Sequence, residues 1–351
     1  MKSSTHLDAP GHSLTDALMA ADPLAAGDAA GARQPRAPVP LWRRLARNLS
    51  VVIGGLLILA IGLIGVAAPL ITSDDPTAIN PAGRNKAPGE VISFRNDDGQ
   101  RVKKTVVMGT DGLGRDIFAR VVYGARVSLV VGILVAVVSV AVGLFIGLVS
   151  GYYRWLDSIV MRIMDGLMAI PSILLAIALV SLSGASLVAV VVAIAIPEIP
   201  RVVRLVRSIV LSIREEPYVE AAVSVGTPTP KILYRHVLPN TIAPLIVQAT
   251  YICASAILLE AILSFLGVGI PPETPTWGNI MAEGRGVFQL LPHNILIPGV
   301  FLTITVLAVN MLGDGLRDTL DPRMGNNISR NPPHGALRAP TPPCRARGGA
   351  A

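Results

Sequence analysis

The chain has 351 residues, 52% of them hydrophobic and 15% charged, with a net charge of +7. Soluble domains carry about a quarter charged residues, so this composition, with a mean hydropathy of +0.58, excludes an ordinary soluble fold and places the chain among membrane proteins. The basic residues lie mostly beside apolar runs, which marks them as topology determinants and lipid-headgroup contacts rather than a nucleic-acid surface.

Residues 1–50 are polar, rich in Ala and Pro, and lack an apolar signal-peptide core; they read as a largely disordered cytoplasmic tail. Val51–Ile71 follows without a charge. Its length matches the roughly 20 apolar residues that a bilayer core of about 30 Å requires, and it reads as an uncleaved first transmembrane helix. Residues 72–126 form a polar external segment. Within it, Gly109-Thr-Asp-Gly-Leu-Gly-Arg-Asp116 has the chemistry of a turn and a helix cap.

Val127–Val149 is the second span. Gly166–Ile196 then runs without a charge, but as one helix it would reach about 46 Å, half again too long. The Ser181–Ser186 segment supplies a turn signal, so two spans are expected, near 160–181 and 186–206. Thr241–Ile270 and Ile295–Leu312 complete six. The runs are continuous rather than alternating, which selects helices over a barrel. The fold class is therefore all-α, a polytopic membrane protein with its core over 127–320. Residues 321–351, rich in Pro, Gly and Arg, read as a disordered cytoplasmic tail. The two cysteines, Cys253 in an apolar run and Cys344 in a polar tail, set no disulfide framework.

Orientation follows the Lys/Arg residues near span ends. Arg33, Arg36, Arg43, Arg44 and Arg47 precede the first span; Arg201, Arg204, Arg207, Arg214, Lys231 and Arg235 lie between spans four and five; Arg317 and Arg323 come after the last. Six spans put all three groups on one side, the cytoplasm, with both termini. The external segment 72–126 runs against the rule with nine Lys/Arg, but its seven Asp/Glu are interspersed and long segments translocate with less regard to charge.

The loop 207–240 carries most of the information. Glu215-Glu216-Pro217 opens a helix, since acids suit the positive end of the helix dipole and proline suits the first turn. Glu220-Ala221-Ala222 continues it and Gly226 stops it. Thr227 then caps a second short helix, with Pro228 in its first turn, ending at Leu238-Pro239. Such an element is either a helical surface loop or a docking element whose small residues admit a partner's backbone.

Glu220-Ala-Ala, three residues, Gly226 and then Leu238-Pro239 resemble the EAA motif of ABC importer permeases. The segments MGTDGLGRDIFARVVYGARVSLVVG (108–132), YVEAAVSVGTPTPKILYRHVLPN (218–240), LLEAILSFLGVGIPPETPTWGNIMAEGR (258–285) and NMLGDGLRDTLDPR (310–323) are similar to the dipeptide/oligopeptide branch of that family. His236 departs from it, where the family usually has Ile. The resemblance implies a type I ABC importer transmembrane domain in a bacterial inner membrane. It implies a coupling helix at Glu220, Ala221, Ala222, Gly226, Leu238 and Pro239 that fits a groove on a cytoplasmic ATPase. It also implies a second homologous permease, two ATPase subunits and an external substrate-binding protein. Peptides are the implied cargo, with glutathione and nickel complexes as alternatives within the same complex type.

Ionisable groups within spans are functional candidates by default. Glu260 either lines the translocation path or is a buried structural acid. Asp165 and Glu198 are expected to reach water or pair with Arg162 or Arg201. Arg201, Arg204 and Arg207 are expected to snorkel to headgroups, and Trp277 to anchor at the membrane interface. The sequence has no G-x-x-x-x-G-K-[ST] phosphate loop, so ATP belongs to partner subunits and no cofactor is expected on this chain. It also lacks H-E-x-x-H and G-x-S-x-G, which disfavours an intramembrane enzyme. A secondary transporter would carry more spans and broken repeats.

Overall fold

In the computed structural model the described residues are 41–72, 74–95 and 101–320; residues 1–40 of the N-terminal tail expected over 1–50, and the C-terminal tail 321–351, lie outside them, while 41–50 are helical rather than disordered, broken at the capping residue Asn48. A short helix α1 (Leu41–Arg47) leads into α2 (Leu49–Val66). The Asn48 carboxamide caps α2 by accepting from the Ser50 N–H at 3.0 Å, and its Nδ2 donates to the Gly315 carbonyl at 3.2 Å. The same asparagine thus starts the helix and ties it to the far end of the chain. A one-turn helix α3 (Ala68–Ile71) follows.

The segment between the first two long helices holds the only described strands. β1 (Val91–Arg95) pairs antiparallel with β2 (Arg101–Thr105), in register from Val91↔Thr105 to Arg95↔Arg101. Lys104 on β2 bonds Asp74 and, at 2.6 Å, Asp116. Burial alone would lower the Lys104 pKa, but Asp116 and Asp74 outweigh it and hold the ammonium above its ordinary value.

Helix α4 (Ile117–Tyr152) begins ten residues ahead of the apolar run. Asp116 is its cap, accepting from the Phe118 N–H at 3.0 Å. The early turns are packed through Ile117, Ala119, Val121 and Ala125, all buried. At 36 residues it runs about 54 Å, well beyond the hydrocarbon thickness.

The third expected span is broken. Helix α5 (Arg154–Ala169) and α6 (Ser172–Ser183) meet at 91°. The cause is local: the ring of Pro171 disfavours helical ψ at the preceding residue, and Ile170 takes φ −91°, ψ 129°. After an extended, positive-φ link at Gly184, α7 (Leu187–Arg214) runs past the expected end of its span, with Pro197 and Pro200 inside it. Two short helices, α8 (Pro217–Ser224) and α9 (Thr229–Ile232), lead through a wide turn at Leu233–Val237 into α10 (Leu238–Phe265). α11 (Trp277–Gly284) and α12 (His293–Leu320) complete the described chain. Each of the six expected spans finds helix. Among the described residues α2, α4, the continuous α9–α10 stretch and α12 are long and apolar enough to cross a membrane, and the bent α5–α6 pair would be a fifth. α7, the remaining expected span, is apolar to Ile196 but carries Glu198, Arg201 and Arg204 beyond it and does not meet that measure.

Close packing of α4 on α7 builds the centre. Gly143, Gly147 and Gly151 face Val202, Val206 and Val210 one turn at a time. A Cβ placed on these glycines would lie 2.5, 2.7 and 2.9 Å from the matching valine Cβ. Small residues that let backbones approach are the usual adhesive between membrane helices, where no hydrophobic force separates protein from lipid. A second apolar cluster joins α2, α4, α10 and α11 around Ile117, Val121, Ile257 and Trp277.

Candidate functional site

The loop joining α7 to α10 is fastened on one side and bare on the other. Val219 of α8, Ile232 of α9 and Val237 of the wide turn are buried in the core cluster that also contains Ile213 at the end of α7. Glu220, Ala221, Val223, Val225 and Gly226 are exposed, and Ala222 is half-buried. Val225, an apolar side chain, is 85% exposed, so this face offers a solvent-facing apolar patch beside a carboxylate.

Local chemistry sets the shape. Glu216 is extended and Pro217 takes the first helical turn of α8. The helix closes with the Gly226 N–H on the Val223 carbonyl at 2.9 Å and the Thr227 N–H on the Ala222 carbonyl at 3.1 Å, a paired closure that needs a left-handed residue. Gly226 supplies it at φ +77°, with nothing within 4 Å of where a Cβ would stand. The left-handed backbone, not crowding within this chain, requires glycine there.

The second short helix differs from the sequence expectation in two ways. It begins at Thr229 with Pro228 as its cap, one residue later than expected. It also does not end at Leu238-Pro239. Pro239 has no N–H to donate to Arg235 one turn back, so the preceding turn widens, with the Leu238 N–H on the Leu233 carbonyl, and the chain continues directly into α10. The loop and α10 are therefore one mechanical unit.

One contributor to the loop, Tyr152, carried no signal in the sequence. Tyr152, the last residue of α4, accepts a hydrogen bond at its carbonyl from Arg214 at 3.0 Å and lies under that guanidinium, 5.4 Å from ring centre. Its hydroxyl also meets Thr229 Oγ1 at 3.4 Å. The Tyr218 and His236 rings stand 5.8 Å apart, so the residue that departs from the family pattern braces α8 against the wide turn.

The three arginines on α7, expected at lipid headgroups, each hold an ion pair within the chain. Arg207 pairs with Asp157 of α5, 2.6 Å at its Nη2; Arg204 pairs with Asp165 of α5; Arg201 chelates Glu198 on its own helix at 2.9 and 3.0 Å. The break at Pro171 swings α5 across the end of α7, which no pattern of periodicity displays. Asp165 thus finds Arg204 rather than Arg162, while Glu198 takes its expected partner.

Trp277 is not an interface anchor. It is fully buried, with its Nε1 donating to the Val121 carbonyl at 3.1 Å. Glu260 is also fully buried, with Oε1 accepting from Ser264 Oγ at 2.8 Å. Oε2 and Ser128 Oγ find no hydrogen-bond partner among the described residues.

A compact ionic cluster binds the hairpin segment to α4 and α11. Asp111 Oδ2 accepts from Arg115 Nε and Arg120 Nη1, both at 2.7 Å, and both arginines also reach Glu283 of α11. Burial pushes the Asp111 carboxyl up, but Arg115 and Arg120 more than offset this and hold it below the usual carboxylate range. Among the described residues no three His, Cys, Asp or Glu side chains stand together as a metal site.

Residues 122–326 match the family of binding-protein-dependent transport system inner membrane components. Residues 41–88 match the N-terminal transmembrane domain of oligopeptide transport permease C. A probable peptide ABC transporter permease of Sinorhizobium fredii is 50% identical over 277 residues, 79% of this chain and 90% of that protein. A dipeptide transport system permease of Alkalihalophilus pseudofirmus is 43% identical, covering 81% of this chain and 89% of its own. A glutathione transport system permease of Pectobacterium atrosepticum is 40% identical over 218 residues, 62% of this chain and 72% of that one.

Proposed function

The chain belongs to the family of binding-protein-dependent transport system inner membrane components, and from that premise we propose that it is one permease subunit of an ATP-driven importer of short peptides. The observation that carries the reading is the family match across residues 122–326, which contains the whole of the half-anchored loop.

Each part has a role in this reading. A second homologous permease completes the path, an external binding protein delivers the peptide, and two cytoplasmic ATPases bind ATP. This chain has no phosphate-cradling sequence of its own. The exposed face of α8, from Glu220 to Gly226, seats on one ATPase. Closure of the ATPases displaces α8. Because Val219, Ile232 and Val237 are buried in the same core as Ile213, α8 cannot move alone, and its displacement passes into α7 and α10. Both termini lie in the cytoplasm of a bacterial inner-membrane topology, and the hairpin segment lies outside.

A second reading keeps the machine and changes the cargo. The glutathione permease relative, at 40% identity, favours a γ-linked tripeptide. One experiment addresses both: a deletion strain is assayed for uptake of labelled di-, tri- and oligopeptides and glutathione. Loss of peptide uptake, restored by the gene, is the expected result. Loss of glutathione uptake alone would replace the peptide reading with the second, and loss of neither would overturn both.

A further inference from the structure

The described residues line an open cleft of about 680 Å³ at the end of the bundle that carries the loop. Its apolar walls include Leu205 of α7, Pro244 and Val247 of α10 and Leu320 of α12; Asn240, Gln248 and Arg317 supply the polar groups. Pro239, where the loop passes into α10, also lines it. The volume falls within the range of roughly 300–1,000 Å³ occupied by small-molecule sites.

The wall contributed by α10 is a stripe. Asn240, Pro244, Val247 and Gln248 recur at i, i+4, i+7 and i+8, one face of a helix. The opposite face, with Leu245, Ile252 and Ala256, is buried in the core. Gln248 lies about 15 Å along the helix from its start, a depth at which a lipid-facing amide is disfavoured. The stripe therefore suits water or polar cargo better than acyl chains. Pro244 adds an acceptor: it has no N–H, so the Asn240 carbonyl lacks its helical donor. Arg317 is exposed at the cavity's edge and presents a fork of donors matched to a carboxylate.

A cation at one end, amides and a carbonyl along one wall and apolar patches between them complement a short zwitterionic peptide. We infer that this cavity is a peptide subsite on the half of the path nearest the ATPase loop, with Arg317 meeting the free C-terminal carboxylate, and with Gln248 and the Oδ1 of Asn240, whose Nδ2 donates to the His236 carbonyl at 2.7 Å, meeting the backbone amides. The inference rests on the peptide-import reading. An anionic lipid headgroup offers Arg317 similar chemistry, and the test separates the two.

The complete transporter, with both permeases, the ATPases and the binding protein, is reconstituted in vesicles. Uptake of a tripeptide and of its C-terminal amide is compared for the native chain, Arg317→Gln and Arg317→Lys. Arg317→Gln should lower uptake of the free acid about tenfold, the scale of one charge-assisted hydrogen bond, and leave the amide nearly unchanged; Arg317→Lys should recover part of the loss. In a Cys253→Ala, Cys344→Ser background, Gln248→Cys should react with a water-soluble thiol reagent from the ATPase side. The tripeptide should slow that reaction, and added anionic lipid should not. Full uptake in Arg317→Gln, equal loss for both substrates, or protection by anionic lipid in place of peptide would each overturn the subsite alone. A native complex that moves neither substrate would overturn the import reading and the subsite with it.

Discussion

Replacing Gly147 with Leu tests whether the seam between α4 and α7 is the structural centre of the bundle. A Cβ at Gly147 would stand 2.7 Å from Val206 Cβ, 2.9 Å from its Cγ1 and 3.0 Å from the Val203 carbonyl oxygen. Carbon atoms rest at about 3.5–4.0 Å, so the helices must part by on the order of 1 Å. Leu gains about 1 kcal/mol over Gly from helix propensity, while overpacking a tight interface costs about 1–3 kcal/mol. A side chain three carbons longer than the bare Cβ belongs at the upper end, leaving a net loss of about 2 kcal/mol. Gly62→Leu on α2 is the control: a Cβ there has nothing within 4 Å, so the propensity gain stands alone. The assay is thermal unfolding of the purified permease complex, at matched membrane expression. Gly147→Leu should melt earlier than the native chain and Gly62→Leu no earlier. Equal tolerance of the two would refute the argument that this glycine is set by the valine opposite.

Three further outcomes are expected. Gly226→Asp, which forces a side chain into a left-handed position at about 1 kcal/mol or more, and Glu220→Lys, which puts a cation at a helix N-terminus, should both abolish uptake and co-purification of the ATPase while the permease remains inserted; normal uptake in both would show that the loop does not couple. In the same cysteine-free background, Arg95→Cys should be labelled from outside intact cells and Lys231→Cys only after permeabilisation, and external labelling of the latter would invert the proposed topology. Because the Asp111 carboxyl is held below its ordinary range, its contribution to the external segment is fully present above about pH 4 and is lost as the pH falls through the folded value. Protection of the hairpin amides, taken relative to the intrinsic exchange rate at each pH, should be level from pH 7 down to about 5 and fall below about 4; Asp111→Asn, leaving two buried guanidinium groups short of an anion, should cost about 3 kcal/mol and abolish the acid dependence.

Much of this architecture is legible in the sequence because lipid leaves the backbone few choices. Long uncharged runs had to be helices, and Glu216-Pro217 and Gly226 announce the start and stop of α8 by local chemistry alone. What escaped the sequence depends on contacts between elements. Pro171 was visible, but proline inside membrane helices is tolerated, and only the packed structure shows that here it turns the chain through 91°. The consequence reaches far: with α5 laid across α7, Asp157 and Asp165 meet Arg207 and Arg204, and a row that reads as headgroup contacts also forms ion pairs within the chain. Trp277 misleads for a related reason. Its segment lies in an outer loop by sequence, yet α11 folds back into the bundle and buries the ring against Gly124, where a Cβ would lie 3.3 Å from Trp277 Cδ1.

The same distinction explains why the loop could be recognised before its mechanism could. Residues that face a partner must be exposed and small, and such a pattern survives in a linear sequence as Glu220-Ala-Ala and Gly226. Residues that transmit the partner's motion must be buried in the permease itself, and they are ordinary aliphatics. Val219, Ile232 and Val237 are indistinguishable in the sequence from any lipid-facing valine or isoleucine. Their burial with Ile213, and the continuous helix from Thr229 through the wide turn into α10, are what make the docking face rigidly connected to two long helices. If the loop couples ATP hydrolysis to transport, shortening these anchors should uncouple the two without releasing the ATPase. Val219→Ala removes buried methyl groups at a cost of about 1–3 kcal/mol but leaves the exposed face of α8 intact. Such a variant should retain the ATPase and its hydrolysis while uptake per ATP falls. Loss of the ATPase from Val219→Ala would instead place this residue in the docking contact and contradict the burial from which the argument proceeds.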